Sequence, residues 1–143
     1  MNIFYTPVLV LHVVVAVLGL GSTASIAIVA ASARRLRRDP AELLPWLGPL
    51  LRGSAFSLAT MLGTGILLDL SAKGAFRGSW WFRGSALLLI GAGALHGQAR
   101  RTLRSWAANK ADSDTLLRRV ERLAYAMCAV IAGITVLMEV KPF

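Results

Sequence analysis

Six side chains in this sequence have the chemistry of a ligand set, although each lies in or beside a long apolar run. They comprise two histidines, two carboxylates, a thiol and a thioether: His12, His96, Asp69, Glu139, Cys128 and Met127. An ionisable side chain is costly in lipid, so within an apolar segment it marks a functional site by default. His12 is the clearest case, because it interrupts the apolar run from Ile3 to Ala33.

Two histidines on neighbouring helices are one arrangement that holds a haem iron from both sides. Axial ligands to one iron must lie at nearly the same depth. Eleven residues separate Ser85, which we expect at the level of His12, from His96. On a helix that spacing is about 16 Å. The difference in depth therefore favours separate sites for His12 and His96. A shift of the helix starts by a few residues would reduce this difference, so a bis-histidine site is the alternative.

We expect His12, Asp69, Glu139 and Ser85 to lie in the outer half of the bundle, which is the half that contains the start of the first helix. A carboxylate beside an imidazole favours the charged ring, so this polar cluster is a candidate for ligand binding or proton handling. The alternative is an internal hydrogen-bonded network that fixes helix register.

The inner half places His96 near Cys128 and Met127. Imidazole, thiolate and thioether are ligands that suit copper(I). Methionine and cysteine are also frequent packing residues in apolar helices. Copper binding is therefore an alternative to haem, with His12, His96, Cys128 and Met127 as the possible metal ligands.

The composition indicates which elements carry these side chains. The 143 residues are 56% hydrophobic and 16% charged, and the charges are bunched between apolar runs. This pattern is typical of an all-α integral membrane protein. The net charge of +9 does not predict nucleic-acid binding, because the basic residues lie in short connections between helices. The single cysteine excludes an internal disulfide.

The apolar runs predict one transmembrane domain, residues 1–143, built as a bundle of four membrane-spanning helices. We expect helices at about residues 3–33, 53–72, 80–99 and 115–140, with the fourth entering lipid at Leu123. The first run lacks the basic start of a cleaved signal peptide and is expected to be retained. The proline-broken segment from Leu43 to Leu47 is expected to lie along the membrane surface.

The distribution of basic residues predicts the orientation. All lysines and arginines except Lys73, Arg77, Arg83 and Lys141 fall on one side of the predicted bundle. The positive-inside rule makes that side cytoplasmic, so both termini are expected on the non-cytoplasmic side. The chain is thus predicted to be a multi-pass protein of a bacterial inner membrane, with the lipid bilayer as its first partner.

Small and polar residues predict the faces that pack together. The first, third and fourth helices each carry a stripe at helical spacing: His12, Ala16, Gly19 and Thr23; Ser85, Leu89, Ala92 and His96; Cys128, Ala132, Thr135 and Glu139. We expect all three stripes to face inward.

Three short motifs carry a resemblance to a known group. They are the segments Leu11–Ala16 and Leu95–Gly97, the latter preceded by Trp81, and the terminal Val140–Phe143. In this order they resemble the superfamily of small four-helix membrane proteins that contains the HemJ-type protoporphyrinogen oxidases and the membrane domain of copper-resistance protein D. The resemblance spans the chain and implies a haem-associated bundle, in which His12 and His96 match histidines of the HemJ-type proteins.

Two departures separate the chain from the HemJ-type oxidases. Ser85 stands where they carry a lysine, and Leu18–Gly21 replaces their tryptophan and glycine signature. The resemblance therefore implies an uncharacterised relative rather than an oxidase. The function we expect is binding of haem b or a porphyrin with a redox-related role. The alternatives are a non-enzymatic membrane subunit or scaffold, in a homo-oligomer or larger membrane complex, and copper handling.

Overall fold

The computed structural model of the protein describes residues 3–109 and 113–140. Four α-helices follow one another along the chain: α1 Tyr5–Arg35, α2 Pro40–Ser71, α3 Trp80–Asn109 and α4 Ser113–Val140. The described residues contain no strand. The predicted all-α class is therefore confirmed.

Three of the helices, α1, α2 and α4, are long and apolar enough to cross a membrane. Much of their apolar surface faces outward, including Val10, Val17 and Leu18 of α1. Such a surface suits lipid, which makes these helices consistent with a multi-pass membrane protein. The 30 residues of α3 give it about 45 Å of length, but Ser85, His96 and Gln98 interrupt its apolar run.

The second helix begins at Pro40. The sequence pattern had predicted that it would begin at Gly53. The Asp39 carboxylate caps it by accepting a hydrogen bond from the backbone N–H of Ala41 at 2.9 Å. The predicted surface segment Leu43–Leu47 is thus part of α2. Packing explains the difference: Leu47 is fully buried, and its burial offsets the backbone hydrogen bonds that the two internal prolines remove.

The third helix continues to Asn109, past the predicted end at Ala99. Leu103 and Trp106 are buried in the core although they lie in a stretch rich in arginine. Their helical spacing from Ala99 continues the buried face of α3, and the charged residues between them point away from it. The predicted start of the fourth helix near residue 115 agrees with α4 to within two residues.

The helices pack in the spatial order α2, α1, α4, α3, and α2 and α3 touch only sparsely. We call the end where α1 stops and α4 starts the inner end, and the opposite end, where α1 starts and α2 stops, the outer end. There the Arg34 guanidinium donates to the Glu121 carboxylate at 2.8 Å and ties α1 to α4. The hydrophobic core is drawn from all four helices: Ile26, Ala27, Ala30, Leu47, Leu51, Ala99, Leu103, Trp106, Leu116, Val120, Ala124 and Met127.

The predicted inward stripes of α1 and α3 are buried, with Ala16 and Leu89 only half-buried. The stripe predicted for α4 is wrong, because Ala132, Thr135 and Glu139 are exposed. The face of α4 that enters the bundle is instead bulky and apolar: Val120, Ala124, Met127, Ile131 and Ile134. Large side chains fill the space opposite the small residues of α1, so the small and polar face of α4 points outward.

The α1–α2 interface is the closest contact in the bundle. Thr23 and Ser54 share a hydrogen bond of 3.1 Å between their hydroxyl oxygens. One turn before Thr23 on α1, a Cβ placed on Gly19 would lie 2.9 Å from the Cβ of Ser57. Only glycine allows this approach without displacing a helix.

We predict that Gly19→Ala destabilises the protein by about 1–3 kcal/mol through overpacking against Ser57, less the gain of up to about 1 kcal/mol in helix propensity. The matched control is Gly21→Ala, since nothing lies within 4 Å of a Cβ at that position. The measurement is reversible unfolding in detergent or bicelles. Adding Ser57→Gly should restore much of the loss. Equal stability of the two alanine variants would show that the close approach is not a constraint.

Candidate functional site

His12 is buried and held by a threonine of α2. Its Nδ1 lies 2.7 Å from the Thr64 hydroxyl oxygen. That hydroxyl is itself 2.8 Å from the backbone carbonyl of Thr60, to which it donates its single hydrogen. With the Thr64 hydrogen directed to a backbone carbonyl, the Thr64 oxygen accepts from His12, and we assign the ring proton to Nδ1 on this basis. The Nε2 atom is left with its lone pair and has no hydrogen-bond partner among the described residues.

A cavity of about 270 Å³ lies beside His12, where α2 and α3 diverge. We call it the outer cavity. Its walls are apolar, with Met61, Leu89 and Met138 among the residues that line it. Two of the lining residues are polar, His12 and Ser85, and the buried Ser85 hydroxyl has no hydrogen-bond partner. The surface of the cavity is almost entirely apolar, which suits an apolar ligand.

A second cavity of about 260 Å³ adjoins the first. The two share His12, Gly65, Phe82 and Met138 as lining residues. Glu139 lines this second cavity, so the structure brings it to the same space as His12 without a hydrogen bond between them. The imidazole thus borders apolar space in both cavities.

Asp69 does not pair with His12, contrary to the predicted polar cluster. Its carboxylate accepts from the Arg77 guanidinium at 2.6 Å and from the backbone N–H of Phe76 at 3.1 Å. These bonds fix the connection between α2 and α3. Because α2 runs toward the outer end, Asp69 lies about 7.5 Å beyond Thr64 along the helix. Thr64 was not identified from the sequence as the partner of His12.

His96 is buried in a different place. It lines a cavity of about 350 Å³ nearer the inner end, again between α2 and α3, which we call the inner cavity. Its Nδ1 has no hydrogen-bond partner. Ser85, in the outer cavity, and His96 are eleven residues apart on the continuous helix α3, which is about 16 Å. The two histidines therefore line separate cavities.

The predicted copper ligands have different surroundings. Met127 is only 1% exposed and belongs to the hydrophobic core, whereas Cys128 is half-buried. Among the described residues, no three His, Cys, Asp or Glu side chains are grouped so that they could hold a metal ion. Copper binding by His96, Cys128 and Met127 stays a prediction.

We predict that Thr64→Val destabilises the protein by about 1–3 kcal/mol, because it leaves the buried Nδ1–H of His12 without an acceptor. Thr64→Ser keeps the hydroxyl and should cost much less. Nitrogen NMR of the labelled histidine ring checks the cause: we expect a neutral ring with its proton on Nδ1 in wild type and in the serine variant. A proton on Nε2 in wild type would contradict the assigned role of Thr64.

Comparison with known proteins gives no relative for this chain. No family model matches it, and neither a curated protein nor a solved structure does. The resemblance to HemJ-type proteins and to copper-resistance protein D therefore rests on the motifs of the sequence alone.

Proposed function

We propose that this protein is a four-span inner-membrane protein that binds an apolar ligand, haem b or a related porphyrin, beside His12. One observation carries the proposal. Thr64 holds the His12 ring beside a cavity with apolar walls between α2 and α3, and the Nε2 atom of that ring has no hydrogen-bond partner among the described residues.

The topology supports a fourth span. The ion pair between Arg34 and Glu121 joins the end of α1 to the start of α4 at the inner end. The chain leaves α2 at the outer end, at Ser71, and must return to the inner end before α4 begins. Only α3 connects these two points, so α3 crosses the same thickness as its neighbours. The start of α1 and the end of α4 then lie at the outer end.

The charge distribution supports the orientation. The inner end of the bundle carries most of the arginines, in the helix ends and in the α1–α2 connection, among them Arg35, Arg37 and Arg101. The positive-inside rule assigns such an end to the cytoplasm. The outer cavity then lies in the half of the membrane away from the cytoplasm.

The residues around His12 fit a single axial ligand to a haem iron. A ligating histidine usually donates its other ring N–H to a fixed acceptor, and Thr64 is that acceptor here. The apolar walls of the two adjoining cavities suit a macrocycle, and together the cavities reach the lower part of the size range of cofactor sites. Their position at the sparse contact between α2 and α3 allows entry from the bilayer.

Each residue has a defined task in this proposal. His12 binds through Nε2, Thr64 keeps the ring oriented, and the Ser85 hydroxyl offers one hydrogen bond to a polar atom of the ligand. A bound haem would supply one-electron chemistry to the site. Ser85 has no titratable amine, so the position where HemJ-type oxidases carry lysine cannot exchange a proton as an amine does. Binding without oxidase activity follows.

We predict that protein purified after expression with haem supplied shows a Soret band that shifts on reduction. His12→Ala should abolish the band, and Thr64→Val should weaken haem binding roughly 10- to 100-fold, because it removes the support of the ligand. His96→Ala is the matched control and should keep the band, since His96 lines the inner cavity. Colourless wild-type protein would contradict the proposal. Loss of the band in His96→Ala would favour a bis-histidine site instead.

A specific feature of α3 favours a second function, that of a scaffold subunit. Gly93 and Gly97 are spaced four residues apart, and nothing lies within 4 Å of a Cβ at either position. In lipid such a pair allows another helix to approach closely. The partner would be a second copy of the chain or a subunit of a larger membrane complex.

We predict that replacing Gly93 and Gly97 together by isoleucine weakens self-association at least several-fold, because the added side chains keep a second helix at a distance. The measurement is energy transfer between labelled copies in liposomes. Gly63→Ile is the control, since that position on α2 is equally open. Wild-type protein that stays monomeric at high density in the bilayer would contradict association of like copies.

A further inference from the structure

We infer that the inner cavity binds the phosphate group of an anionic phospholipid from the cytoplasmic leaflet. The cavity lies between α2 and α3 and is lined by one arginine of α2, Arg52, and by two of α3, Arg100 and Arg104. His96 completes its polar side. This inference is independent of haem at His12, since the two cavities have no lining residue in common.

The three arginines bring positive charge that nothing nearby balances. Arg100 and Arg104 are one helical turn apart on α3, one and two turns beyond His96, so the three side chains form one row. None of the described residues that line the cavity is acidic. Within residues 3–109 and 113–140, none of the three arginines has an ion pair or a side-chain hydrogen bond. An anion from outside the chain is the missing counter-charge.

His96 supplies a second observation that points to a ligand. The residue is 7% exposed, and its buried Nδ1 has no hydrogen-bond partner. A buried polar atom without a partner costs free energy unless a bound molecule satisfies it. Because the His96 ring lines the cavity, a turn of the ring brings its Nδ1–H to a phosphate oxygen, while the arginines bind the remaining oxygens.

The other arginine-lined cavity shows what a balanced site looks like. It has a volume of about 470 Å³ and lies between the end of α1 and the start of α4. Three of its four arginines have acidic partners: Arg34 binds Glu121, Arg38 binds Glu42, and Arg118 binds Asp114. The fourth, Arg37, has no ion pair among the described residues. Carboxylates of the chain therefore pair with most of the arginines at that cavity, whereas no described carboxylate pairs with an arginine at the inner cavity.

The surroundings favour a lipid over a soluble phosphate. The same cavity is lined by Leu44, Leu51 and Leu103, and it lies where α2 and α3 make sparse contact. Further along α3, open space borders Gly93 and Gly97. An acyl chain can lie along this apolar side while its phosphate reaches the arginines. Basic pockets between membrane helices at the cytoplasmic side are typical sites for anionic headgroups.

The test is native mass spectrometry of the full, delipidated chain titrated with phosphatidylglycerol and, separately, with phosphatidylcholine. We expect one phosphatidylglycerol molecule to bind per chain with higher affinity than any that bind after it. Its affinity should fall roughly 30-fold in Arg100→Gln/Arg104→Gln, because two arginine contacts are lost. The control pair Arg101→Gln/Arg119→Gln removes the same charge from exposed positions outside the cavity and should lose no more than about threefold.

Two further variants keep the result clear if folding is affected. Arg100→Lys/Arg104→Lys preserves the charge and should retain most of the binding, and His96→Phe should lose roughly fivefold from one missing hydrogen bond. Equal losses in the two glutamine pairs, or equal binding of phosphatidylcholine, would overturn the site. Complete displacement of the lipid by millimolar inorganic phosphate would overturn the lipid as its occupant.

Discussion

The structure depends on the polar contacts across the α1–α2 interface. In lipid no hydrophobic force drives two helices together, so close approach and hydrogen bonds must do so. Thr23 bonds to Ser54, Gly19 lies against Ser57, and His12 bonds to Thr64. Toward the outer end these contacts run back along α1 by four and then seven residues, and forward along α2 by three and then seven, as expected for an antiparallel helix pair. The register that brings the helices together also fixes the ring of His12.

Because α2 packs along α1, little of the α2 surface contacts α3. The core fills the inner half of the bundle through residues such as Ile26, Val120 and Met127. Toward the outer end the packing thins, and cavities take the place of side chains beside His12 and Ser85. Incomplete packing is costly in a domain interior, where voids forfeit dispersion contacts. The packing between α2 and α3 is incomplete despite that cost, and both candidate ligand sites lie between these two helices.

Sequence patterns predicted the all-α class, the extent of α1 and its buried stripe, because apolar length and small-residue spacing are local properties. They failed where tertiary packing decides. Pro45 signals a break that the burial of Leu47 overrides, and Trp106 joins the core from within an arginine-rich stretch. Thr135 looks like a packing residue but faces outward. Thr64 could have been found, since an antiparallel register that sets Thr23 against Ser54 places it near His12.

The two buried histidines show why residue type alone does not define a site. His12 has its proton-bearing nitrogen satisfied by Thr64 and faces apolar space, so it can offer a lone pair to a metal or an acidic hydrogen. His96 has an unsatisfied Nδ1 and lies in a row with Arg100 and Arg104, so it can donate to an anion. About 16 Å of α3 separates their levels. Different hydrogen-bond partners at different depths argue against one iron held between the two rings.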